Sequence, residues 1–249
     1  MRRIAGIIAL VFVGAVLVWR ISPMLPRANK SADKPKSEVP SPETDLPKAD
    51  LPKADLPKID LPKAETPTST GTVLFEDHFA DNSHKWEIMH EPTRHQIVQN
   101  GKYRMDNFEK KQVYWAFQNI PLENDDNFMI EASFTQIEGQ KESSYGLIWG
   151  CDDKDRFYTF AISDEGYYEI QRSTDTWEDL VSYSPSSSIV KHNGTNLLRI
   201  EKKGFQLMFY INNTLVTTQT HQALFGKGIG FFLNTSVKMD VDDFVVKKL

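Results

Sequence analysis

The sequence predicts an all-β domain, an antiparallel β-sandwich filling residues 72–249. Three observations carry that reading. Apolar and polar residues alternate, as in Phe128-Ile130-Ala132-Phe134 and Leu198-Ile200, the period-2 pattern of a half-buried strand. Turn pairs recur between such runs: Asn100-Gly101, Glu165-Gly166, Asn193-Gly194, Lys203-Gly204 and Asn212-Asn213, mostly residue types that tolerate a left-handed backbone. No stretch after Thr72 sustains a helical period. Aromatic residues are 11% of the chain and nearly all fall in this region, so the domain can bury a large apolar area.

The strands read in order as residues 73–76, 112–118, 127–136, 144–151, 156–163, 167–172, 196–202, 205–211, 215–220, 228–233 and 239–247. These short runs are bounded by turn residues, and many alternate. The single cysteine, Cys151, excludes an intrachain disulfide; within Leu147-Ile148-Trp149-Gly150-Cys151 it reads as a small core residue. A formal net charge of −5 and the lack of a basic stripe argue against nucleic acid as a partner.

Residues 1–71 have a different character. Residues 4–19 are an unbroken apolar or small-residue run preceded by Arg2 and Arg3. As a helix the run spans about 24 Å, short of a ~30 Å bilayer core unless Ile21 and a snorkelling Arg20 extend it. The stretch after it, Arg20-Ile21-Ser22-Pro23-Met24-Leu25-Pro26, suits signal peptidase poorly and contains no lipoprotein cysteine. Residues 1–22 are therefore expected to be an uncleaved signal anchor. Arg20, Arg27, Lys30, Lys34 and Lys36 oppose Arg2 and Arg3 under the positive-inside rule. The expectation is a single-pass protein with its C-terminal domain outside the cytoplasm. Residues 23–71 repeat Asp-Leu-Pro-Lys-Ala, with Pro47, Pro52, Pro57 and Pro62 five residues apart. Proline at that spacing forbids a regular helix, and a lone leucine per repeat cannot build a core. The segment is expected to be a disordered, near charge-neutral spacer of polyproline II character.

Within the domain, Phe75-Glu76-Asp77-His78-Phe79-Ala80-Asp81-Asn82 followed by Trp86 resembles the opening motif of the concanavalin A-like lectin/glucanase superfamily. Tyr145-Gly146-Leu147-Ile148-Trp149-Gly150, then Arg156-Phe157-Tyr158-Thr159-Phe160-Ala161-Ile162, is similar to its central hairpin. Gly228-Ile229-Gly230-Phe231 and Val241-Asp242-Asp243-Phe244 continue the order. The resemblance implies a jelly-roll sandwich over the whole domain, near the 3-keto-disaccharide hydrolase-like branch. It fixes fold more than activity.

The glucanases of that superfamily carry Glu-x-Asp-x-Glu on one strand, which puts the catalytic carboxylates on one sheet face. That motif is missing here, and no catalytic residue is assigned. His90-Glu91-Pro92-Thr93-Arg94-His95 spaces its histidines by five, and Pro92 spoils the helix a zinc protease needs. Asp152-Asp153-Lys154-Asp155 lacks the glycine and distal glutamate of a calcium loop, so no metal or other cofactor is expected, although a surface Ca²⁺ site stays open. Three glycosylation sequons begin at Asn193, Asn212 and Asn234 and read equally as turn asparagines. What remains is aromatic surface, since sugar C–H faces stack on rings while polar neighbours bind hydroxyls. The candidate ligand-binding residues are Trp149, Tyr167, Arg172, Asp175 and Trp177, with Trp177 expected in an exposed loop. Three readings follow: a non-catalytic module binding a glycan or cell-envelope polymer, a glycoside hydrolase, or an adhesive envelope domain.

Overall fold

A computed structural model describes residues 71–109, 112–152 and 156–249. The expected anchor (1–22) and all but the last residue of the expected spacer (23–71) lie outside the described residues. The strands are β1 (Thr72–Asp77), β2 (Met89–His90), β3 (Arg94–Gln99), β4 (Lys102–Asn107), β5 (Tyr114–Asn119), β6 (Phe128–Gly139), β7 (Tyr145–Cys151), β8 (Phe157–Ile162), β9 (Tyr167–Ser173), β10 (Trp177–Pro185), β11 (Thr195–Lys203), β12 (Gln206–Ile211), β13 (Thr214–Thr220), β14 (Gly228–Leu233) and β15 (Val237–Lys248). They form two antiparallel sheets. One has nine strands in the order β13-β12-β11-β6-β15-β4-β3-β2, with β1 also paired to β15; the other has six, β10-β9-β8-β7-β14-β5. This is the expected antiparallel sandwich.

Strand alternation builds the core between the sheets. Ile130, Ala132, Phe134, Leu198, Ile200, Phe209, Ile211, Met239 and Val241 come from the nine-stranded sheet and are buried. Tyr145, Leu147, Trp149, Phe160, Ile162, Ile170 and Phe231 meet them from the six-stranded sheet. The opening motif has a structural role. Asp77 accepts from the backbone N–H of Phe79 (2.7 Å) and the indole N–H of Trp86 (2.7 Å), and lies 2.9 Å from His84 Nδ1. These bonds hold Phe79 and Trp86, both buried, against Tyr103 and Phe231. Through Asp77, Phe79 and Trp86 the motif packs and pins the first strand.

Four strands go beyond the sequence reading. β3 and β4 flank the Asn100-Gly101 turn, whose residues both sit at positive φ (54° and 71°) as a two-residue hairpin requires. Their runs, RHQIVQ and KYRMDN, are too polar to show strand character. β2 is two residues long. β10 is an edge strand with two register breaks against β9, which destroy its alternation. Trp177 therefore opens a strand; the turn before it is residues 174–176.

Candidate functional site

Two sheet faces look outward, and their chemistry differs. On the nine-stranded sheet the charges are neutralised in pairs. Arg104 grips Asp240 with two bonds (2.7 and 2.8 Å), Lys102 reaches Asp242 (3.3 Å), Lys238 reaches Asp106 (3.4 Å) and Arg199 reaches Glu131 (3.4 Å). His90 and His95 face each other across the β2–β3 hairpin at 2.8 Å, a strand geometry rather than the helix of a zinc protease. Arg199 and Asp240 are buried within these pairs while Lys102 and Asp242 are half-exposed, so the face is a charge-paired surface with little free charge to offer a ligand.

The outer face of the six-stranded sheet carries a second, smaller apolar cluster. Ile148, Cys151, Phe157, Ala161 and Phe232 are buried there, with Val113, Trp115, Phe117 and Trp177 packed against them. Trp115 on β5 stands three strand spacings from Phe157 on β8, about 14 Å in a flat sheet, yet the rings are 5.1 Å apart. Trp177 on the opposite edge strand lies 5.6 Å from Phe157 and 6.0 Å from Phe232. Rings from both edge strands thus converge on Phe157, which gives this outer face a concave, ring-walled side-chain surface. A Cβ at Gly146 would lie 2.2 Å from the Phe160 carbonyl oxygen, and one at Gly230 would lie 2.0 Å from that of Ala116, so neighbouring strands approach closely at both.

Across the sheet the face changes from apolar to polar. One cross-strand row runs Ile148, Thr159, Gln171, Asp179 through β7, β8, β9 and β10. Gln171 donates to Asp179 (2.8 Å). Beside this row, Glu169 accepts from Ser144 (2.9 Å), and Ser163 and Tyr183 share a hydrogen bond (2.7 Å). Tyr183 stacks parallel on Tyr167, with centroids 4.6 Å apart. Burial pushes the Tyr183 pKa up, so its hydroxyl stays protonated at neutral pH. Thr159 is 0% exposed, and its Oγ1 has no hydrogen-bond partner among the described residues. An orphaned buried hydroxyl is costly, and at this burial it is closed to a ligand from the surface.

The five candidate residues do not form one site. Trp149 is corrected outright: it points inward, is 1% exposed, and stacks on Tyr158 with centroids 5.4 Å apart, because alternation along β7 sends 145, 147 and 149 to the core. Arg172 also leaves the outer face. Its Nη1 donates to Gln222 (2.8 Å) and its Nη2 to Glu178, so it ties β9 to neighbouring segments. Asp175 is exposed in the β9–β10 turn. Tyr167 and Trp177 do share the concave face, at opposite ends of β9, since Trp177 pairs with Ser173. Six residues of strand separate these levels, about 20 Å. Sequence reasoning did not single out Phe157, Phe232, Thr159, Glu169, Gln171, Asp179 or Tyr183. The available signal was the alternation Phe157-Thr159-Ala161-Ser163 and Tyr167-Glu169-Gln171-Ser173, which marks one outward face on two adjacent strands.

Among the described residues no group of three or more His, Cys, Asp or Glu is placed to hold a metal ion. Residues 153–155 of the acidic loop lie outside the described residues.

No family model matches the chain, and no curated protein matches it. Its fold is similar to that of solved structures. The carbohydrate binding module CBM66 from Bacillus subtilis superposes with a TM-score of 0.52 at 10% identity, covering 66% of this chain and 95% of the module. A Bacillus subtilis protein of unknown function with a galectin-like fold gives 0.51 at 12% identity, covering 72% and 96%. The CBM2 module of Lactobacillus casei BL23 phage J-1 evolved Dit gives 0.50 at 11% identity, covering 72% and 96%. At these identities the likeness establishes a two-sheet antiparallel β-sandwich fold and nothing finer.

Proposed function

We propose that the domain is a non-catalytic glycan-binding module whose site is the concave outer face of the six-stranded sheet. The carrying observation is the composition of that face. Half-exposed Trp115 and Trp177 rise from its two edge strands, and exposed Asp179 and half-exposed Tyr167 and Tyr183 supply hydrogen-bonding groups on the same face. A sugar ring needs an apolar platform and hydrogen-bonding groups side by side, and this face offers both. The likeness to carbohydrate-binding modules supports the reading. The missing Glu-x-Asp-x-Glu strand supports binding without hydrolysis: the outward positions of β9 are Tyr167, Glu169, Gln171 and Ser173, with one carboxylate among them. Nothing observed favours the 3-keto-disaccharide hydrolase branch over the rest of the superfamily.

We further propose that residues 1–22 anchor the module, that residues 23–71 space it from the membrane, and that it faces a glycan or cell-envelope polymer outside the cytoplasm. Retention of the protein on gels containing envelope polysaccharides tests the central reading. The wild type is expected to be retarded by at least one polymer. Trp177→Ala and Trp115→Ala are each expected to weaken that binding about tenfold or more, since losing one stacked ring costs roughly 1–2 kcal/mol. No retention by any glycan would sink the proposal.

A further inference from the structure

Among the described residues five strands pair on one side only, β13, β2 and β1 in one sheet and β10 and β5 in the other. A terminal strand presents unpaired backbone N–H and C=O groups, and proteins usually blunt it by shortness, charge, proline, bulges or cover. Four of the five are blunted. β1 breaks register between Val73 and Phe75 and carries Glu76 and Asp77. β2 is two residues long. β10 carries Glu178 and Asp179, ends on Pro185 and breaks register twice. β5 is flanked by neighbouring segments: Arg94 lies over the Tyr114 ring at 4.3 Å, and Gln118 donates to the His84 carbonyl (3.0 Å).

β13 is different. Its seven residues, Thr-Leu-Val-Thr-Thr-Gln-Thr, include no charge and no proline. Thr214, Leu215, Thr218 and Thr220 are exposed, Leu215 by 50%. Its single register shift falls at Val216, leaving Thr217 to Thr220 in regular pairing with β12. The Asn212-Asn213 turn, with φ of 51° and 64°, holds β13 tightly beside β12 as a two-residue hairpin does.

We propose that β13 is a self-association edge, on which a second copy of this chain pairs antiparallel about a two-fold axis near Thr218. Sequence decides between a second copy and another partner. A two-fold contact sets a strip against itself, so the strip must be self-complementary. An uncharged strip of Thr and Gln from Thr217 to Thr220 meets that condition: Thr218 faces its copy and Thr217 faces Gln219, with no like charges opposed, while Val216, bulged and with its carbonyl accepting from the Tyr168 hydroxyl (3.3 Å), stands outside the strip. The pairing extends the nine-stranded sheet and leaves the concave face of the other sheet open. It therefore doubles the binding faces per assembly without new ligand contacts, and it holds whether or not that face binds glycan.

The full-length chain in mild detergent, followed by light scattering or sedimentation across about 1–200 μM, tests the pairing. The wild type is expected to shift from monomer to twice the monomer mass. Thr218→Lys places two like charges together at the axis and is expected to raise the dissociation constant about tenfold or more. Thr218→Cys is expected to yield a disulfide-linked dimer under mild oxidation, the native Cys151 being buried. A wild type that stays monomeric over the whole range overturns the proposal. So does a folded Thr218→Lys variant that dimerises as tightly as the wild type.

Discussion

Asp77 accepts three bonds from neighbours in the opening motif, two of them from donors that the fold removes from water, Trp86 Nε1 and the Phe79 N–H. Replacing Asp77 by Ala orphans those donors, and a stability loss of about 2–3 kcal/mol is expected in denaturant unfolding. Trp149→Ala empties a large inward volume and is expected to cost about 3–5 kcal/mol, with any change in glycan binding following that loss of fold. The expected contrast is with Trp177→Ala, which removes a half-exposed ring and should weaken binding more than stability. His78 gives a pH signature. Its ring lies 2.8 Å from Asp243 and 3.2 Å from Glu76, and the hydrogen bond to Asp243 is the main cause of a pKa raised above 6.5. A raised folded value means the contribution is fully present below pH 6.5 and is lost as pH rises through that folded value. Melting temperature followed from pH 6 to about 8 should therefore fall slightly in the wild type, and this component should be absent in His78→Ala. Because the group is exposed, the effect is small and screened by salt.

At the scale of elements, convergence of rings from both edge strands makes the site, and glycine lets the strands beneath approach closely. Gly230→Ala forces a methyl group against the Ala116 carbonyl between β14 and β5. Overpacking of this kind costs about 1–3 kcal/mol. The variant should also push β5 away from β14, separating Trp115 from Phe157 and weakening binding beyond the stability loss. Much of the fold was legible in the sequence because its signals are local. Apolar alternation marked β6 and β11, and Asn212-Asn213 marked the β12–β13 hairpin. β3 escaped because RHQIVQ does not alternate, and β4 because its alternation, Tyr103 and Met105 between Lys102, Arg104 and Asp106, spans only two apolar residues. The site was less legible for a geometric reason. Ranking aromatic residues along the chain cannot separate Trp149 from Trp115, since the two differ only in which way their strands face. Trp149 is an aromatic residue on an inward strand position, whereas Phe157 and Thr159 sit at alternate positions of one strand whose outward row only the sheet pairing reveals.

Over the whole molecule, the proposed spacer would join the domain at Thr72, the first residue of β1, which pairs with Lys248 of β15 in the nine-stranded sheet, not in the sheet that carries the proposed site. The proposed location outside the cytoplasm has its own test. Phe205 is 85% exposed in the β11–β12 turn, so Phe205→Cys should react with a membrane-impermeant thiol reagent on intact cells, while buried Cys151 stays unlabelled. Labelling only after lysis would place the domain inside. The central claim, that the concave face of the six-stranded sheet binds glycan, is tested most directly by the indole N–H signals of an isotopically labelled full-length protein titrated with a retaining polysaccharide. The Trp115 and Trp177 signals are expected to shift together, while those of Trp86, bonded to Asp77, and of Trp149 in the core stay fixed. Binding that leaves Trp115 and Trp177 unmoved, with shifts confined to the nine-stranded sheet, would contradict the account.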